Sequence, residues 1–170
     1  MRRKQEGFSL IELLIVVAII LIIAAIAIPN LLRSRMAANE SCAVGSLRTI
    51  NTSAVTYQST WGNGFPPSLT AMGPMAAGGQ ATCATADLVD SVLGCAAPPC
   101  LKCGYNTSYT PGAAIPVAPA GCVAGCSTYT ANADPQTRGT TGQRSFFTDQ
   151  SGVIRFNGAA AAVVTDPPIS

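Results

Sequence analysis

Apolar positions follow two different rules along this chain. Residues 13–28 read LLIVVAIILIIAAIAI, and residues 8–28 contain only Ser9 and Glu12 as polar interruptions. A run of that length matches the roughly 20 residues with which a helix crosses a hydrocarbon layer. Further on the period changes. Leu47, Ile50, Ala54, Tyr57 and Trp61 recur at spacings of three and four, which places them on one helical face in need of a covering surface. The two patterns join into one predicted helix over 8–61, membrane-spanning across 8–28 and amphipathic across 29–61. Pro29 lacks a backbone donor and its ring crowds the preceding turn, which predicts a bend or a locally melted segment over 25–30. Gly62, Gly64, Pro66 and Pro67 end the helix.

Residues 62–170 are different in character, with Gly, Pro and Ala punctuation over 65–79, 95–104 and 111–121. Between these loops, 105–109, 127–131, 145–148 and 153–156 have the aromatic and β-branched content of strands. Residues 149–152, Asp-Gln-Ser-Gly, join the last two as a hairpin turn with Gly152 at a left-handed position. A short helix is expected over 87–93. The predicted architecture is α+β: a long N-terminal helix, transmembrane and then amphipathic, packed against a small, loop-rich antiparallel β head.

Composition narrows the function. Only 11% of the 170 residues are charged and there is no histidine, so the commonest acid–base side chain is missing and no Ser-His or Cys-His pair exists. No phosphate loop or nucleophile elbow is present either, and neither an enzymatic activity nor a cofactor is expected. Ten Lys and Arg against eight Asp and Glu are too balanced for a nucleic-acid footprint. The charge is instead placed at one end. Arg2, Arg3 and Lys4 precede the apolar run, which keeps the N-terminus cytoplasmic and exports the remainder of the chain. Gly7 lies before the apolar run, whereas the cleavage site of an ordinary secretory signal lies after one. Cleavage at Gly7 removes three of ten bases and one of eight acids, leaving seven of each.

The stretch GFSLIELLIVVAII, with Gly7, Phe8, Glu12 and the later Pro29, resembles the N-terminus of type IV prepilins. The resemblance is close over 1–35, looser to Trp61, and general beyond. It implies a leader over 1–7 cleaved between Gly7 and Phe8, methylation of the new Phe8 amine, and a mature chain with the helix 8–61 and an exported β-rich head 62–170. It further implies a homo-oligomeric helical filament whose assembly uses Phe8, Glu12 and Pro29. The implied partners are the inner membrane, a prepilin peptidase and methylase, and pilus assembly machinery, with no nucleic acid required. The chain would be a single-pass inner-membrane protein before assembly and a cell-surface filament after it. The function implied is a structural pilus subunit; the alternative is a pseudopilin of a type II secretion system, which shares the leader and helix. Glu12 is significant on physical grounds as well, because a carboxylate at membrane depth costs roughly 2.5–3.5 kcal/mol and calls for a partner.

Seven cysteines, Cys42, Cys83, Cys95, Cys100, Cys103, Cys122 and Cys126, suit an oxidising compartment. Six of them, Cys83 to Cys126, lie near one another in sequence and are the candidates for three disulfides that staple a head with little aliphatic core. Cys42, alone on the long helix, is the expected free thiol; the alternative is that it anchors the head to the helix. A competing reading places zinc on Cys100, Cys103, Cys122 and Cys126, two close pairs of thiolates. Disulfides are preferred and no metal is expected. Asp87 and Asp90 read as a solvated face and a cap, and Asp149 as a turn residue.

Overall fold

The computed structural model describes residues 8–75, 77–116 and 121–169. The chain divides into two compact units, Met1–Arg35 and Met36–Ser170. Helix α1, Leu10–Trp61, runs through the boundary. The predicted end at Trp61 arises as expected, with Gly62 at φ 61° and Gly64 at φ 72° turning the chain out of the helix.

In the first unit α1 is apolar all round. Its large apolar side chains from Phe8 to Leu32 are 45–79% exposed, so none of the described residues covers them. This helix is long and apolar enough to cross a membrane. The melted segment expected over 25–30 is absent: the helix is continuous through Pro29. Proline removes a single backbone donor and its ring crowds one carbonyl, that of Ala25, and the remaining helical bonds carry the chain through.

In the second unit, α1 lies against a five-stranded antiparallel sheet with strands in sequence order: β1 Cys100–Lys102, β2 Tyr105–Pro111, β3 Tyr129–Pro135, β4 Ser145–Asp149 and β5 Arg155–Asn157. The helical stripe is the one read from the sequence. Ala43, Leu47, Ile50, Ala54 and Tyr57 are buried in one cluster with Tyr105, Tyr129, Ala131, Ala133 and Phe146, and Trp61 packs at its edge. Alternation on β3 sends Tyr129, Ala131 and Ala133 inward, and the two alanines leave room for the helix. Tyr129 then stacks on Tyr109 at 5.4 Å and meets Phe65 edge-on at 5.0 Å.

The turn at 149–152 forms as predicted, but β5 begins at Arg155 rather than Val153 and pairs with β4 only from Phe147 and Arg155, so the connection is longer than four residues. The Gly152 amide donates to the Asp149 carbonyl at 2.9 Å, Gly152 adopts φ 74°, and Asp149 accepts from Ser151. Residues 87–93 form no helix. Asp87 takes φ 54°, and the Asp90 carboxylate caps a turn by accepting from the Leu93 amide while pairing with Lys102. A four-residue helix, α2 Leu69–Met72, forms instead behind Ser68, whose hydroxyl accepts from the Ala71 amide.

The cysteine assignment needs correction. Cys42 is bonded to Cys103, Cys83 to Cys122 and Cys95 to Cys100, with Cα separations of 6.3, 5.5 and 5.7 Å, and Cys126 is the free, buried thiol. The hairpin between β1 and β2 explains why. Its two-residue turn, Cys103-Gly104, has both φ angles positive, at 51° and 72°, as a type I′ turn requires. Beside it, the Thr141 carbonyl accepts from Asn39 on α1, so the turn and the helix are neighbours and Cys103 meets Cys42. The zinc alternative fails on the same facts, since Cys100, Cys103 and Cys122 each bond a different partner. Cys126 is held by reciprocal backbone bonds with Phe65, and burial pushes its thiol up, which keeps it protonated.

Candidate assembly segment

Of the residues singled out for assembly, Phe8 and Glu12 sit at the start of α1. Gly7 lies outside the described residues. Phe8 is 78% exposed just ahead of the helix, and Glu12 falls in its first turn, where a carboxylate complements the positive end of the helix dipole. The Ser9 amide donates to Glu12 Oε2 at 2.9 Å, and the Leu13 amide donates to the Ser9 carbonyl at 3.2 Å. Glu12 therefore caps its own helix with one oxygen while its side chain remains exposed. In the uncleaved chain the Phe8 nitrogen is a peptide amide. Only a cut after Gly7 turns it into a cation, four residues from Glu12 and one helical turn away. Pro29 lies within the same helix, with the Asn30 carbonyl accepting from Ser34 at 3.0 Å in the next turn.

The second unit ties α1 to the sheet by polar contacts that the sequence did not single out. Glu40 is 8% exposed and accepts from the amides of Gln143 and Arg144 at 2.9 and 3.1 Å and from the Arg144 guanidinium at 2.8 Å. The only sequence signal was a lone carboxylate two positions before Cys42. Asn51 accepts from the Tyr129 hydroxyl at 3.0 Å and donates to Thr148 Oγ1 at 2.8 Å, and the Tyr57 hydroxyl donates to the Cys83 carbonyl at 2.7 Å. Each bond satisfies a polar group on a face that is otherwise apolar.

Burial alone would raise the Glu40 carboxyl, but the two amides and the guanidinium of Arg144 together outweigh it and hold the group below the usual 4.5. A carboxylate lowered on folding stabilises the fold above the unfolded value, and that contribution is lost as pH falls through the folded value. Melting of the mature chain in detergent should therefore weaken below about pH 4.5. Glu40→Gln should cost about 1–3 kcal/mol at neutral pH and flatten this acid limb. An unchanged acid limb in Glu40→Gln would assign the acid sensitivity to another group.

Residues 2–28 match the prokaryotic N-terminal methylation motif. The same end of the chain is similar to the type IV wide pilus major component PilA4 of Thermus thermophilus, at 62% identity over 39 residues, which are 23% of this chain and 30% of that protein. It is also similar to the type IV major pilin protein PilA of Myxococcus xanthus, at 44% identity over 54 residues, 32% of this chain and 24% of that protein. The matches thus span less than a third of either relative. No solved structure matches the chain. The class these features define is a protein with an N-terminal methylation motif on a long apolar helix, followed by a disulfide-bonded antiparallel sheet. Its N-terminal segment is similar to those of the two pilins, in keeping with the resemblance carried by Gly7, Phe8 and Glu12.

Proposed function

We propose that this chain is a structural, non-enzymatic subunit of a type IV pilus and the major one in its fibre. It is inserted in the inner membrane through residues 8–28, cut after Gly7, methylated on Phe8 and polymerised through α1. The observation that carries this reading is a helix whose large apolar side chains from Phe8 to Leu32 are all exposed, along and just beyond a methylation motif over residues 2–28. Outside the membrane such a surface is covered only by other copies of itself, at roughly 25 cal/mol for each Å² removed from water. Both relatives are named as major pilus subunits, which favours the pilus over a secretion pseudopilin.

In this reading the sheet and its three bridges form the outward head, and Glu12 accepts the Phe8 ammonium of a neighbouring copy. A peptidase, a methylase and assembly machinery act on the chain, and no nucleic acid is needed. Shearing cells and separating the released filaments tests the proposal. This chain should be their bulk component; filaments of another composition, with this chain retained in the membrane, would overturn it.

A further inference from the structure

Most charges of the second unit are satisfied within it. Glu40 pairs with Arg144 and Asp90 with Lys102, Arg138 and Arg155 donate to backbone carbonyls, and Asp149 and Asp166 accept from nearby groups. Among the described residues of this unit, Arg48 is the cation with neither an ion pair nor a hydrogen bond, and Asp87 is the exposed carboxylate with neither. They do not pair with each other within one copy.

Arg48 lines two clefts of about 270 Å³ each, which share it and Ile169 and so form one groove along α1. Val44 and Phe146 wall one part and Val153 and Ile154 the other. The Arg144 guanidinium is already engaged by Glu40, so Arg48 is the free cation of the groove. One turn earlier, nothing lies within 4 Å of where a Cβ on Gly45 would stand, and the surface there permits close approach. A guanidinium between apolar walls suits a carboxylate carried on a partly apolar segment.

The Asp87 loop has that chemistry. The amides of Ala86, Asp87, Leu88 and Val89 donate to carbonyls of Ala71, Gly73 and Met72 at 2.8–3.0 Å, fixing the loop on the end of α2. Asp87 stands at its turn with φ 54°, and Val92 nearby is 44% exposed. The carboxylate is presented by a rigid support, which lowers the ordering cost of docking.

We propose that the groove at Arg48 receives the Asp87 loop of a second copy of this chain, as a head-to-head contact along the filament. This rests on the pilus reading. Groove and loop are different surfaces of one subunit, so their union is heterologous and propagates from copy to copy, as a helical polymer requires.

The test uses the full chain in its own cells, with wild type, Arg48→Glu, Asp87→Arg and the double exchange. Each single variant places like charges together and should lower the sheared-filament yield about tenfold or more, with the membrane-inserted pool and its three disulfides intact. The double exchange should restore the yield to within about twofold. Arg48→Gln, which removes the charge without reversing it, serves if Arg48→Glu fails to fold, and should also lower the yield. Single variants with wild-type yield, or a double exchange as poor as the singles, would overturn the contact, the second result assigning the groove to a different occupant. A wild-type chain that makes no filaments would overturn the pilus reading itself.

Discussion

Replacing Glu12 by Ala or Val is expected to abolish filament formation while the chain still enters the membrane. A carboxylate at membrane depth costs roughly 2.5–3.5 kcal/mol, so its removal eases insertion. Among the described residues its polar contact is the Ser9 amide, and a carboxylate with several lone pairs can accept a further donor. In the proposed fibre that donor is the cationic Phe8 nitrogen of a neighbour, released when the peptide bond to Gly7 is cut. Loss of one partner strands the other charge in a low dielectric, at roughly 3–5 kcal/mol per contact, more than a hundredfold in each addition step. Sheared-filament yield and membrane fractionation measure the two effects separately. Normal filament yield from Glu12→Ala would show that the carboxylate merely caps its helix.

The second large effect is expected at the bridge between α1 and the sheet. Removing Cys42–Cys103 by the double change Cys42→Ser and Cys103→Ser should destabilise the head by about 2–5 kcal/mol. The bridge joins residues 61 apart, against 39 for Cys83–Cys122 and 5 for Cys95–Cys100, and so restricts the unfolded chain most. Both cysteines are changed together so that no new thiol is left to exchange with Cys126. Denaturant unfolding of the mature chain in detergent measures the loss, and a loss for Cys95–Cys100 equal to or larger than this one would contradict the ordering. Thiol alkylation after unfolding without reductant should label Cys126 alone; label on Cys42 would contradict the pairing itself.

What the sequence disclosed and what it concealed differ by the range of the interaction. The stripe Leu47, Ile50, Ala54 and Tyr57 was legible because helical period is local, and the turn at Asp149–Gly152 because its chemistry lies in four residues. Strand β3 begins two residues later than its pattern indicated and extends to Pro135, through Asn132 and Asp134, which have little intrinsic preference for strands. Pairing with β2 along its whole length, Tyr105 to Pro111, imposes that conformation. Strand β1, three residues at a Cys-x-x-Cys, carries no pattern of its own, and so the partner of Cys103 stayed hidden. Spacing favoured local pairs, whereas the type I′ turn brings Cys103 to a helix position 61 residues away. Glu40 was concealed in the same way, because its three donors at Gln143 and Arg144 are more than 100 residues distant. The roles proposed for Gly7, Phe8 and Glu12 rest on their order along the chain and, for Glu12, on its place in the first turn of an apolar helix.

The proposed filament formation through α1 depends on a cut after Gly7, which the intact mass of the reduced subunit from sheared filaments reads out. The predicted mass is that of a chain beginning at Phe8 with one added methyl group. A filament subunit that begins at Met1, or one cut after Ile28 so that the apolar helix is lost, would contradict it.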